Sequence, residues 1–584
     1  MLNKIRSKII LHKIFFNMKK KRNMKILRYN KNLLNKLNIK LKDFQDYKFL
    51  KEINQKYDLD IKDVEIDKLE LKNKKNINKL LEDIAQIEFK ELKELYINNY
   101  NILHIKILER YNFENLEILN LSDNKISNIN ILEKVNFYKL KELILSRNKI
   151  SDINILEKVK FRELKELYLT NNKILDINVL ENAKFEKLEE LGLGKNKISN
   201  INILEKVNFK NLKHLYLSDN RISNIDILAK VEFRKLEVLS LEGNQISDIS
   251  ILEKINMNVL EELYLENNLL SDISILEKVN FNELKVLYLM KNNITNIDVL
   301  EKVKFDKLEY LDLSENQITN INILENTNFN NLKGLDFTGN NISDLIVFEN
   351  VKYEKLEYMS LSTNKISDIS SLANTKFGQL KQLDLSHNLI SNINSLKNPQ
   401  FANLELLDLE DNLISDINVL EKVKFKELKE LNLNDNEISN INALKKVNFE
   451  KLEILDLAQN NIKDINILSE VNFKNLKELY LDDNEISNIK ILEKVKFEKL
   501  ESLDLGDNKI SDINVFKNVS FKDLKKLGLA DNIIENINVF EKIGFEKLER
   551  FDLGNNKINN KMNSSTISFL KNKIKKFNYK KNQV

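Results

Sequence analysis

The chain of 584 residues contains no cysteine, no tryptophan, one proline, ten glycines and four histidines. Without cysteine, disulfides, thiolate metal sites and thiol nucleophiles are excluded. His12, His104, His214 and His387 are far apart and lack the spacing of a helical metal pair, so neither a histidine metal centre nor a Ser-His-Asp triad has support. The scattered glycines form no P-loop and no dinucleotide fingerprint. No catalytic residue, no cofactor and no metal is expected. No apolar run reaches about 18 residues, so no membrane span is predicted. Lack of cysteine removes the usual sign of secretion, and a cytoplasmic protein is expected. Targeting to an organelle by the N-terminus, or secretion, are the alternatives.

Charge of one sign is locally missing as well. The formal net charge is only +4, but residues 1–50 hold 15 Lys or Arg against Asp43 and Asp46, and residues 557–584 hold eight Lys and no acid. The body between these basic ends is therefore net acidic. The N-terminal stretch reads as a basic extension, a targeting segment or a contact for acidic lipid.

What is present is a repeat. Aligned on a leucine, units begin at Leu92, Leu116, Leu140 and every 24 residues to Leu548, giving 20 units without insertion. The consensus is LxxLxLxxNxIxxIxxLxxVxFxx. Such a period predicts a solenoid, because one unit cannot bury its own apolar face. Leu-x-Leu alternation predicts a strand with leucines inward and the middle residue outward. The ninth residue is Asn in 19 of 20 units, with Tyr100 the exception. An amide both donates and accepts, so stacked turns are expected to share an Asn ladder. The IxxIxxL spacing suits a helical or 3₁₀ segment, and phenylalanine at the twenty-second position, replaced by Met257 and Tyr353, suits a spine through the core.

The motif LxxLxLxxNxI, as in LEILNLSDNKI at 116–126 followed by SNINILEKVNF at 127–137, resembles the leucine-rich repeat proteins. Its IxxIxxL half is similar to the internalins and the phosphatase-one regulatory subunits, with units two residues longer. The resemblance implies an α/β horseshoe with a parallel sheet on the concave face and short helical or 3₁₀ segments on the convex face. The expected division is a basic N-terminal extension and helical region at 1–67, an N-terminal capping half-repeat at 68–91, the solenoid at 92–559, and a degenerate C-terminal cap and basic tail at 560–584. In the last part, Ile567 and Phe569 keep the register of the core.

Function then belongs in the variable positions. The outward residue between the strand leucines reads as a Tyr row, with Tyr168, Tyr216, Tyr264 and Tyr288, and then as an Asp row, with Asp312, Asp336, Asp384, Asp408, Asp456, Asp504 and Asp552, interrupted by Tyr480. The two positions after the second strand leucine add eight more acids from Leu308 onward and no Lys or Arg. One reading is a binding face: tyrosines give rigid contact area, and an acidic stripe attracts a basic protein and repels nucleic acid. The other is that duplication copied an ordinary scaffold residue. The residue after the first leucine alternates in sign, in 17 of 19 neighbouring pairs, which predicts a cross-strand charge ladder. The expected activity is non-enzymatic binding of a protein partner on the concave face, the oligomeric state being open. A regulatory subunit of a phosphatase or other enzyme, and a surface adhesin of internalin type, are the alternatives.

Overall fold

The computed structural model describes residues 68–70, 92–110, 113–541, 545–559 and 561–580. The expected basic extension, and most of the expected N-terminal half-repeat, lie outside these residues. Two compact units are distinguished, one ending at Arg221 and including 231–233, the other formed by 222–230 and 234 onward.

In the first unit a strand at Lys68–Glu70 pairs in parallel with Glu94–Tyr96. Each following repeat adds one three-residue strand, through Ile118–Asn120, Glu142–Ile144, Glu166–Tyr168 and Glu190–Gly192 to His214–Tyr216. In the second unit the same rule runs from Val238–Ser240 to Arg550–Asp552. Within the repeats each residue pairs with the residue 24 positions on, so the register is the sequence period itself. The opposite side of each repeat is a 3₁₀ turn such as Asn130–Glu133 or Asn418–Glu421. The only α-helix among the described residues is Ser564–Lys573.

The expected Asn ladder is present. In the first unit the buried Asn148 side chain donates to the carbonyls of Leu121 and Leu145, both at 3.0 Å, and accepts from the Ile126 amide at 2.9 Å. In the second, Asn316 donates to Leu289 and Leu313 at 3.0 Å and accepts from Ile294 at 3.0 Å. Each amide therefore ties its own turn to the preceding one. The aromatic spine is equally literal, with Phe137 and Phe161 centroids 6.0 Å apart and Phe425 and Phe449 6.1 Å apart. The charge ladder also forms: Lys141–Glu117 and Lys165–Glu189 at 2.6 Å in the first unit, Lys429–Glu405 at 2.5 Å in the second. These pairs are exposed and individually weak, about 0.2–1 kcal/mol.

A second Asx row, unremarked in the consensus, starts the 3₁₀ turns. Asn128 accepts from the Asn130 amide at 2.8 Å, and Asp416 from Asn418 at 2.8 Å. A short polar side chain supplies the first acceptor where the chain bends into the turn.

At the C-terminal end one expectation is corrected. Phe569 is not a core residue: it is 38 % exposed, whereas Ile567, Leu570 and Ile574 are buried. The segment is helical at Phe569, and a helical period of 3.6 brings 567, 570 and 574 to one face. The chain then forms a further strand, Lys576–Asn578, paired with Arg550–Asp552, so this part of the basic tail belongs to the sheet.

Replacing Asn316 by Ala removes three donor contacts and one acceptor from buried backbone, at a cost of about 3 kcal/mol. Replacing Asn320, which accepts one exposed amide, costs about 1 kcal/mol or less. Hydrogen exchange at the Ile294 amide separates the two, since only the first variant removes the acceptor of that amide.

Candidate functional site

The strands set the geometry of the face. In most repeats the central residue is buried and the flanking two lie at least partly open, as at Tyr168 and Glu166 around Leu167, whereas at Val238–Ser240 all three are buried. Every sequence-predicted site residue is the third residue of its strand, so all point to the same side of their sheet as expected.

They do not form one unbroken row. Tyr168 and Tyr216 lie in the first unit, separated by Gly192. A side chain there would meet the Tyr168 ring at 2.9 Å, so glycine leaves the space in which that ring lies. Tyr264 and Tyr288 are direct partners in the second unit, with ring centroids 5.3 Å apart and edge-to-face. Tyr288 adjoins Asp312, which adjoins Asp336. Asp384 adjoins Asp408, Tyr480 lies between Asp456 and Asp504, and Gly528 separates Asp504 from Asp552. The hydroxyls are engaged locally: Tyr168 donates to Glu166 at 3.1 Å, Tyr264 to Glu262 at 2.7 Å, and Tyr480 to Glu478.

The structure supplies a local reason for each aspartate. Asp312 accepts the Ser314 amide at 2.9 Å, Asp336 that of Thr338 at 2.8 Å and Asp384 that of Ser386 at 3.0 Å. Asp408 and Asp456 accept from Glu410 and Ala458 at 3.0 Å, and Asp504 and Asp552 from Gly506 and Gly554 at 2.9 Å. Asn432 does the same for Asn434 at 3.0 Å. Where the chain leaves the strand, the amide two residues on needs an acceptor, and a short carboxylate or carboxamide reaches it. The next acids have another reason. Asp411, Asp435, Asp483, Asp507 and Asp531 occupy the position before the ladder Asn, where φ lies between 43° and 53°. That left-handed region favours Asn, Asp and Gly.

Scaffold chemistry places the acids, but its energetic consequence is a charged face. Burial first, and then neighbouring carboxylates, push Asp456 and Asp482 up to about 6. Burial, with Glu242 and Asp312 adding repulsion, pushes Glu266 up to about 8, and its Oε2 is buried without a hydrogen-bond partner. Asp312, Asp408, Asp504 and Asp507 are raised for the same leading reason. No group of three or more His, Asp or Glu among the described residues is arranged to hold a metal.

Two features of the face escape a reading confined to the middle position. The first residue of each strand faces the same way. In the first unit that position carries Glu94, Glu142, Glu166 and Glu190, so acid is not restricted to the C-terminal half. Glu142 is raised by burial and then by these neighbours. In the second unit it carries Lys526 and Arg550, so the face is not free of base, and the Arg550 charge opposes the rise at Asp504. The two-residue strand periodicity held the signal for both.

A group whose folded pKa lies above its unfolded value stabilises below the unfolded value, and that contribution is lost as pH rises through the folded one. Asp456→Asn keeps the acceptor for Ala458, as Asn432 shows, and removes the buried charge. It should raise the stability of the second unit by about 1 kcal/mol at pH 8, with the gain shrinking as pH falls through 6. Urea unfolding at the two pH values checks this.

Family models described as leucine-rich repeats match residues 138–182, 186–230, 234–278, 282–326, 450–494 and 474–518, and a single-repeat model matches 114–129. No curated protein matches in sequence. Among solved structures, the chain is similar to the Arabidopsis receptor kinase HAESA, solved with the peptide hormone IDA and the co-receptor SERK1, at 21 % identity over 88 % of this chain and 90 % of that one, with a TM-score of 0.53. It is also similar to an internalin from Listeria monocytogenes, at 22 % identity over 82 % and 94 %, TM-score 0.34. A Leptospira interrogans leucine-rich repeat protein gives 19 % over 86 % and 99 %, TM-score 0.42. None of these supports the cytoplasmic expectation. The 24-residue register, the Asn ladder, the parallel sheet with 3₁₀ turns and the matched models make this chain a leucine-rich repeat protein.

Proposed function

We propose that the chain is a non-enzymatic binding protein whose sheet face in the second unit takes a protein partner through a basic segment. The observation that carries this is the set of carboxylates at Asp312, Asp408, Asp456, Asp482 and Asp504, all held on or beside one face and all raised by burial and like charge. Such a face stores unfavourable energy that a cationic partner relieves, and its field accelerates encounter. Tyr264, Tyr288 and Tyr480 add apolar area with little rotamer freedom to lose. HAESA, which shares the fold, is solved in complex with a peptide hormone, so a peptide ligand is within the repertoire of the fold. The Asx bonds explain why aspartate is tolerated here, but Asn432 makes the same bond without charge, so hydrogen bonding alone does not call for the acids.

The test is affinity capture from the native cell extract, with Asp384, Asp408, Asp456, Asp504 and Asp552 all changed to Asn as the comparison. Circular dichroism confirms equal folding. Wild type should retain a basic partner that the variant loses by about tenfold or more, and retention should weaken as pH falls through 6, because protonated Asp456 and Asp482 no longer attract it. Equal capture by both proteins would overturn the assignment to this face.

A further inference from the structure

The residue immediately after the ladder Asn is exposed in every repeat of the first unit, and from the second repeat onward it is basic: Lys125, Lys149, Lys173, Lys197 and Arg221. The backbone fixes this row. Each of the five amides donates to an isoleucine carbonyl of the preceding repeat, at 2.8 Å, from Ile102 for Lys125 to Ile198 for Arg221. Turns stacked at the spacing of parallel strands, about 4.8 Å, set the five cations along a line of about 19 Å. None of the five has an acidic partner within ion-pair distance among the described residues, whereas other Lys and Arg of the same unit, such as Arg147 and Lys195, are paired with Asp123 and Asp219. The acids nearest in sequence are Asp123 and Asp219, which pair with Arg147 and Lys195, and Asp152 and Asp176, which accept the amides of Asn154 and Asn178. In the next five repeats the same position holds Gln245, Leu269, Asn293, Gln317 and Asn341, and the later Lys365, Lys509 and Lys557 stand singly, so the unbroken row is confined to the first unit.

Two residues further on, past a buried isoleucine, the extended chain returns to the same side. Within the first unit serine stands there at 127, 151 and 199, but Leu175 stands beside Lys173 with 59 % of its surface exposed, and Leu103 occupies the position three repeats earlier at 54 %. No aromatic residue lies at either position in this unit, so the stacking platform of a single-strand nucleic-acid site is missing.

We propose that this edge of the first unit docks on an anionic membrane surface, the lysine and arginine row meeting acidic headgroups and the exposed leucines entering the interface. Unpaired cations on long stems at a fixed pitch suit a dense, fluid layer of negative charge, which needs no matching register. Interspersed leucines suit a lipid interface and add nothing toward phosphates of a duplex. The basic residues 1–50, with 15 Lys or Arg, precede the same unit in the chain and carry the same charge.

The experiment is flotation of the full chain with vesicles of phosphatidylcholine alone or with about one third phosphatidylserine. Wild type should float only with the anionic vesicles, and high salt should release it. Changing Lys125, Lys149, Lys173, Lys197 and Arg221 to Gln, with the basic arm intact, should lower partition about tenfold or more, and Leu175→Ser severalfold. All six positions are exposed, so these variants keep the fold, which circular dichroism verifies. Failure of wild type to float, equal flotation by the five-residue variant, or retention on duplex DNA without flotation would each overturn the proposal.

Discussion

A buried carboxamide is the constraint on which the molecule depends. Asn148 or Asn316 satisfies carbonyls of its own turn and of the turn before it, and receives an amide in return. Backbone leaving a strand would otherwise bury unpaired polar groups, at about 1–3 kcal/mol each. The bond fits only if consecutive turns are the same length, which explains a 24-residue period that never slips. The phenylalanine spine and the alternating Lys–Glu ladder follow from that identity, since equal turns place equal positions side by side.

The same identity converts any position into a row, and that is how a scaffold acquires surface chemistry. Aspartate enters the third strand position because it accepts an amide two residues on, and the position before the ladder because the backbone is left-handed there. Repeated along the second unit, these local solutions accumulate charge that no single turn would create. Asp456 and Asp482 are raised to about 6 by burial and then by the carboxylates beside each of them. In the first unit the same multiplication acts on the residue after the ladder Asn and produces cations instead. Position within the repeat decides the local structure; the choice of side chain at open positions decides what the surface attracts.

Much of this was legible beforehand. The ladder, the spine, the charge alternation and the side to which Tyr168 or Asp384 points are all consequences of period and alternation. Three things were not. The acceptor role of Asp312 and its counterparts depends on the turn that follows the strand, and the repeat consensus does not state its dihedral angles. The Glu142–Glu166–Glu190 series in the first unit and Arg550 in the second each lie on the same side of their strands as the third residues of their own unit, through strand periodicity, but attention to one position in three hides them. Phe569 keeps the repeat count yet stands exposed, because a helix replaces the 3₁₀ turn and its period moves the core to Leu570.

By itself the sequence determined the architecture, because a unit of this length with inward leucines and one buried Asn has only stacking as a way to satisfy both apolar area and backbone hydrogen bonds. Tertiary structure alone decided the electrostatic state of the face and the end of the sheet. Whether a carboxylate is raised, as at Glu266, or paired, as at Glu405, depends on how far its neighbours exclude water and which charge lies across the strand. Whether Lys576–Asn578 is tail or strand depends on the open edge left by Arg550–Asp552. Both are properties of contact between turns, and composition does not record contact.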